Sequence, residues 1–346
     1  MKILDKVQRG VRGLGSICLL AACTRFSIAE QRPADSQTPI FQVQSSLVLV
    51  DVISQDHKSG LPIKTFKEKD FRLFDNTREV KISTFDAGAS YDTRRITVWL
   101  VVICNERGLP NFGASAEFLG QELLFRPALD HLEPHDMVGV AHWCDNGDSQ
   151  LDLLPTEDRN KVIEGLAETL KPIPFQGGTS ATDEAGEQAF RRLIRLIIRD
   201  AYQKTPKPLP VIVFLHGDHT GQPHLELNKL VDDFLETSGI VFGIRDSRSP
   251  SLHLIGEQSK IMHYMAKHTG GEYFSVPPSG YEAALQAILL QLHFRYELGF
   301  IPSTIDGKRH ELRVELTKSA KAGHKGFRVR YRPEYIPVRQ QPEWTH

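Results

Sequence analysis

Between residues 96 and 294 the apolar positions of the chain follow two alternating rhythms. Short runs of β-branched and aliphatic residues at 96–104, 138–143, 150–154, 209–215, 240–244 and 272–275 read as buried strands. The stretches between them repeat apolar residues every three to four positions. In 184–202, Phe190, Leu193, Ile194 and Ile197 form one stripe, which predicts a helix turning that stripe towards a core. Helices are predicted in the same way over 114–132, 158–170, 225–237, 258–268 and 281–294. Thr269-Gly270-Gly271 supplies the stop signal after 258–268. Strands that alternate with amphipathic helices predict an α/β unit with a doubly wound, mostly parallel sheet.

On either side of this region the period is two. Leu47 to Ile53 is a β-branched strand, Lys58-Ser59-Gly60 a polar turn, and Asp75-Asn76 a second turn before a strand over 80–85. Near the other end, Leu312, Val314 and Leu316 alternate with charged residues, as do Phe327, Val329 and Tyr331 with Arg328 and Arg330. These are patterns of half-buried antiparallel strands. Neither segment has enough strands to be stable alone. The economical arrangement is one small antiparallel β-sandwich-like domain made from 39–90 and 295–337, with the α/β region, 94–294, inserted in it. Residues 338–346 are a tail. No internal repeat is evident.

Composition narrows the class. With 346 residues there is room for two compact domains, and 40% hydrophobic with 25% charged residues is a globular balance. A formal net charge of -1 gives no global reason to expect nucleic acid or an anionic membrane as partner. Lys2, Lys6, Arg9 and Arg12 precede an apolar stretch from Gly13 to Ala22, the pattern of an export signal and too short to span a bilayer. Leu20-Ala21-Ala22-Cys23 resembles a lipobox, which implies a signal over 1–22 and membrane attachment through lipidated Cys23. Ser27-Ile28-Ala29 offers the competing cleavage, with a signal over 1–29 and a linker over 30–38. Two of the four cysteines, Cys18 and Cys23, lie in this region, so the body holds only Cys104 and Cys144. Outside the cytosol one bridge between them is chemically permitted.

Several spaced motifs carry a resemblance. Val50-Asp51-Val52 with Lys69 to Asn76, then Leu132-Glu133-Pro134-His135-Asp136-Met137-Val138-Gly139-Val140, Gly177-Gly178-Thr179, and Tyr296-Glu297-Leu298-Gly299-Phe300 occur in this order. The chain thereby resembles the von Willebrand factor type A domain, in the exported form found in acidobacteria. The resemblance implies a binding module of the cell envelope rather than an enzyme, in the periplasm or lipid-anchored, with a protein or envelope component as partner. In metal-binding members an Asp-x-Ser-x-Ser follows the first strand, the Gly-Gly-Thr loop supplies a Thr, and an Asp follows the fourth strand. Such hard oxygen ligands suit Mg²⁺.

This sequence departs from that pattern at the metal positions. Its first strand ends Cys104-Asn105-Glu106, its fourth runs into His216-Gly217-Asp218, and Thr179 alone is retained. The expectation is a degenerate site that holds no Mg²⁺ and a protein without cofactor. The resemblance also places Cys104, Cys144 and His216 at the carboxyl ends of three neighbouring strands, the edge where open α/β sheets bind ligands. Three arrangements fit: two buried free thiols, a Cys104–Cys144 disulfide, or a zinc site using both sulfurs with His216, His219 or His142. The alternative class is therefore a zinc-binding protein or a hydrolase at the substituted edge. His216-Gly217-Asp218-His219 lacks a nucleophile elbow. Gly177-Gly178-Thr179-Ser180 lacks the Lys of a phosphate-binding loop. Arg191, Arg192, Arg195 and Arg199 read as a solvated helix face.

Overall fold

The computed structural model describes residues 47–88, 95–104, 125–144, 147–171, 183–203, 208–216, 227–247, 257–324 and 326–337. At its centre is a six-stranded sheet. Its strands are β5 (Ile96–Cys104), β6 (Met137–Cys144), β7 (Ser149–Thr156), β8 (Leu209–His216), β9 (Ile240–Asp246) and β10 (Tyr273–Val276). They lie in the order β10-β9-β8-β5-β6-β7. All neighbouring pairs are parallel except β6 with β7, which form an antiparallel hairpin. Numbered within this unit the order is 3-2-1-4-5-6, that of a doubly wound sheet, and the chain reverses direction across the sheet between β5 and β8.

Helices cover both faces. Alternation along β5 sends Val98, Leu100 and Val102 to one apolar cluster, shared with α1 (Arg126–Leu129), α2 (Arg159–Thr169) and α6 (Tyr281–His293). Trp99, Val101 and Ile103 go to the other, with α3 (Asp183–Tyr202), α4 (Leu227–Leu235) and α5 (Glu257–Thr269). The predicted stripe of α3, from Phe190 to Ile197, is buried in that second cluster. Asp158 caps α2, accepting from the backbone N–H groups of Asn160 and Lys161. The helix predicted over 114–132 needs correction: its described part is helical only over Arg126–Leu129, and 130–132 is a turn with Asp130 N–H bonded back to Arg126. The described part of the helix predicted over 225–237 is helical over Leu227–Leu235, and 236–237 lie beyond its end.

The terminal segments form two antiparallel four-stranded sheets. β1 (Val48–Asp56), β4 (Thr84–Asp86), β11 (Tyr296–Phe300) and β13 (Phe327–Arg330) take the order β13-β1-β11-β4. β2 (Phe71–Asp75), β3 (Arg78–Val80), β12 (His310–Leu316) and β14 (Glu334–Tyr335) take the order β14-β12-β2-β3. β1 pairs with β11 and β13, and β2 with β12, so strands from both ends of the chain share each sheet. Val50, Val52, Leu73, Tyr296, Leu298, Leu312 and Val314 fill the core between them. The single strand predicted over 80–85 is two strands that belong to different sheets. One short helix, α7 (Lys318–Gly323), was not expected; Thr317 caps it.

The described residues lie within one compact unit, Gln44–His346. Ile53 of β1 joins the α/β core beside α6. Around it the seam is carried by arginines. Buried Arg295 donates to Asp51 at 2.5 Å and to the Leu292 carbonyl at 2.6 Å. Arg330 bonds Gln55 and Gln291, and pairs with Glu272 at 3.1 Å. Arg332 donates to the Leu49 and Thr237 carbonyls. Burial pulls the Arg330 guanidinium down to about 10, against the attraction of Glu272.

Candidate functional site at the carboxyl edge of the central sheet

β5 and β6 run in register along their whole length, and their last residues, Cys104 and Cys144, stand directly opposite one another. Alternation puts both side chains on the face of Val102 and Val140. Their Cα atoms are 4.3 Å apart, and the two sulfurs form a disulfide. The bridge is fully buried. It ties together two strand ends beside the point where the sheet reverses its winding.

The bridge corrects two of the three arrangements open from sequence. The thiols are not free, and bridged sulfurs offer no thiolate to zinc. Among the described residues no group of three or more His, Cys, Asp or Glu is placed to hold a metal. A disulfide sulfur at the end of the first strand is itself a poor ligand for Mg²⁺. His216 ends β8, its backbone in register with Arg245 of β9. Asn105, Glu106, Thr179, Asp218, His219 and Cys23 lie outside the described residues.

Beside the bridge is a polar group that sequence reasoning did not assemble. His142, two residues before Cys144, is buried with its Nδ1 2.9 Å from both carboxylate oxygens of Asp152. Asp152 occupies a bulge in β7: Ala141 pairs with Leu151 and Val140 with Leu153, which leaves Asp152 without a partner on β6. A bulge re-aims the extra side chain, and here it accompanies the approach of the Asp152 carboxylate to His142. The Thr169 hydroxyl, near the end of α2, lies 3.0 Å from Asp152 Oδ2 and 2.9 Å from the Gly165 carbonyl. On the other side, His142 Nε2 is 3.6 Å from Asp148 Oδ2. That nitrogen is buried, and among the described residues no group stands within ordinary hydrogen-bond distance of it, Asp148 lying just beyond. Burial lowers the imidazole pKa, but the Asp152 hydrogen bond and the attraction of Asp152 and Asp148 outweigh it, so His142 lies above its ordinary value.

The hydroxyl of Thr169 faces Asp152 and not His142, so these three groups are not ordered as nucleophile, base and orienter. The signal that was available in the sequence is a histidine inside an otherwise apolar strand and an Asp between Leu151 and Leu153. Trp99 and Trp143 are both fully buried in the second apolar cluster and give no stacking surface. The arginine stripe of α3 is partly paired: Arg191 with Glu187 at 3.1 Å, Arg195 with Asp233 at 3.3 Å.

No family model matches the chain, and no curated protein matches it. Solved structures do. The conserved hypothetical protein BatB of Bacteroides thetaiotaomicron aligns over 57% of this chain and 97% of its own, with 16% identity and a TM-score of 0.38. An aerotolerance-related membrane protein of Bacteroides fragilis aligns over 57% and 98%, with 16% identity and a TM-score of 0.39. Proximal thread matrix protein 1 of the mussel byssus, solved with a zinc-occupied MIDAS motif, aligns over 63% of this chain and 49% of its own, with 8% identity and a TM-score of 0.41.

Proposed function

We propose that this chain is an exported interaction module of the cell envelope, which binds a protein or envelope partner through the carboxyl edge of its central sheet without Mg²⁺ and without catalysis. The observation that carries this reading is the Cys104–Cys144 disulfide, which stands where a metal-dependent relative of the type A kind would need hard ligands. A buried bridge also favours an oxidising compartment, in keeping with the basic and apolar start of the sequence. No helix among the described residues is long and apolar enough to cross a membrane. Attachment, where it occurs, is through lipid on Cys23. In this reading the α/β unit is inserted in the β-sandwich, whose paired terminal segments hold the two ends of the insert. The zinc alternative loses its two thiolate ligands to the bridge, while the residues of the hydrolase alternative after His216 lie outside the described residues.

Two measurements test the proposal. Calorimetric titration with Mg²⁺ should give no saturable heat, and a partner captured from envelope extract should stay bound in EDTA. A micromolar Mg²⁺ affinity, or a partner released by EDTA, would overturn it. Detergent partitioning that is lost in Cys23→Ser tests the anchor separately.

A further inference from the structure

At one end of the β-sandwich the inward faces of two strands finish on titratable residues. In β2 the inward positions are Phe71, Leu73 and Asp75; in β12 they are His310, Leu312, Val314 and Leu316. Asp75 and His310 meet beneath the loop 301–309, which joins β11 to β12 and is described throughout. Asp75 is fully buried and accepts from His310 Nδ1 at 2.8 Å. It also accepts from the Ser303 backbone N–H at 3.1 Å and from the Ser303 hydroxyl at 2.6 Å. The Tyr335 hydroxyl lies 3.2 Å from the same Nδ1. The other ring nitrogen, Nε2, faces two residues of the loop: Asp306 Oδ1 at 3.2 Å and Thr304 Oγ1 at 3.5 Å.

These two neighbours make opposite demands on Nε2. A carboxylate only accepts, so Asp306 needs a protonated Nε2; a hydroxyl can donate, so Thr304 can serve a bare one. Nδ1 does not enter the choice, because buried Asp75 keeps a proton there in either state. The rest of the cluster holds its charge across the neutral range. Burial raises Asp75, but the bonds from Ser303, His310 and Tyr335 outweigh it and hold its carboxyl below the ordinary value. The Lys308 N–H, at 3.0 Å, and then His310 lower Asp306. Burial and the Asp75 charge push the Tyr335 phenol up, so it stays protonated. Among the described residues these groups, with Lys308 beside Asp306 and Arg332 beside Tyr335, are the titratable and charged ones around the ring. Of this set, histidine is the side-chain type that changes charge near neutrality.

We propose that His310 is a proton-operated selector on the 301–309 loop: with Nε2 protonated it holds Asp306, and without that proton it accepts from Thr304 and lets the 306–308 bend go. The proton leaves to solvent, and no covalent bond changes otherwise. Release is bounded on both sides. Ser303 stays on Asp75 through two bonds, and Arg309 pairs with Asp232 at 2.8 Å and with Glu334 at 3.4 Å. Between these anchors the exposed bend, with Gly307 at φ 69, has one shape in acid and several in base. It is a surface of the β-domain whose form follows pH, and it stands apart from the binding function proposed for the central sheet.

The test is ¹⁵N relaxation on the full chain at pH 5 and pH 9, with the His310 ring C–H signals followed between them. Backbone order parameters at Asp306, Gly307 and Lys308 should fall from about 0.85 in acid to below about 0.6 in base, while Ser303 and Thr304 stay near about 0.85. The fall should track the ring signals. Asp306→Asn, at an exposed position, supplies an amide that accepts from a protonated Nε2 and donates to a bare one. Its bend should therefore stay ordered at both pH values. Order at Asp306 that ignores pH, or a ring that does not titrate in this range, overturns the selector. So does a loss that spreads equally to Ser303, or an Asp306→Asn bend that loosens as the wild type does.

Discussion

Every residue of β5 is buried, and the sheet around it is held by apolar side chains on both faces. The seam that joins this unit to the β-sheets is held instead by Arg295, Arg330 and Arg332, each less than a tenth exposed. The difference teaches where specificity resides. Apolar clusters tolerate repacking as long as volume is kept. A buried guanidinium tolerates only the geometry that satisfies it, because an unpaired buried charge costs several kcal/mol. The core therefore supplies cohesion, and the seam fixes how the two parts meet.

The largest effect is expected at the seam. Asp51→Leu removes the carboxylate to which the buried Arg295 guanidinium donates, and unfolding in denaturant should show a loss of about 3–5 kcal/mol. Asp51→Leu with Arg295→Met removes both charges and should recover most of it. A single variant as stable as wild type would make the seam no different in kind from the core.

Breaking the core's one covalent tie comes next. The bridge spans 40 residues of sequence, and chain entropy alone predicts a loss of about 4 kcal/mol when Cys104→Ala and Cys144→Ala are combined. Denaturation of wild type with and without a reductant should give the same difference. Unfolding that ignores the reductant would mean that the pair does not hold the edge.

Within the apolar sheet, Gly139→Ala sharpens the contrast. A Cβ there would lie 2.6 Å from the Trp99 ring. Two fully buried neighbours with no room to yield predict a loss of about 1–3 kcal/mol. Combining it with Trp99→Leu should return part of that loss, since the shorter side chain frees the space. Additive effects in this cycle would show that Trp99 moves aside freely.

The same contrast explains what the sequence could reveal. β5, β6, β8 and β9 were legible because a continuous apolar run needs no partner to be recognised. The α3 stripe was legible because its period is local. The seam was not: Arg330 meets Gln55 from 275 residues away, and Arg332 meets the Leu49 carbonyl from 283. Alternation in β13 distinguishes two faces but cannot say that Arg330, on the charged one, is buried while Arg328 stays exposed. At the edge, the resemblance brought Cys104 and Cys144 to neighbouring strand ends, while their pairing awaited the register of β5 on β6. The bulge at Asp152 could not be read at all, because one extra residue changes a carboxylate's aim without changing the hydrophobic pattern. For that reason His142 stood in the sequence as an optional zinc ligand and in the structure as a buried imidazole hydrogen-bonded to the Asp152 carboxylate.

The smallest effect concerns that histidine and separates its contribution from the core around it. Its folded pKa is raised above 6.5, the unfolded value, so folding favours the protonated form. The associated stability is fully present below pH 6.5 and declines as pH rises through the folded midpoint, beyond which it is gone. Urea unfolding of wild type should therefore show stability falling across that window. His142→Gln can still donate to Asp152 but carries no titrating proton, so the difference in stability between wild type and variant should be largest in acid and shrink with rising pH. Asp148→Asn should narrow the same window, because the charge that helps to raise the pKa is removed while the turn's backbone bonds remain. Parallel pH profiles for wild type and His142→Gln would show that the ring titrates alike in the folded and unfolded chain, and that the carboxylates beside it do not raise its pKa.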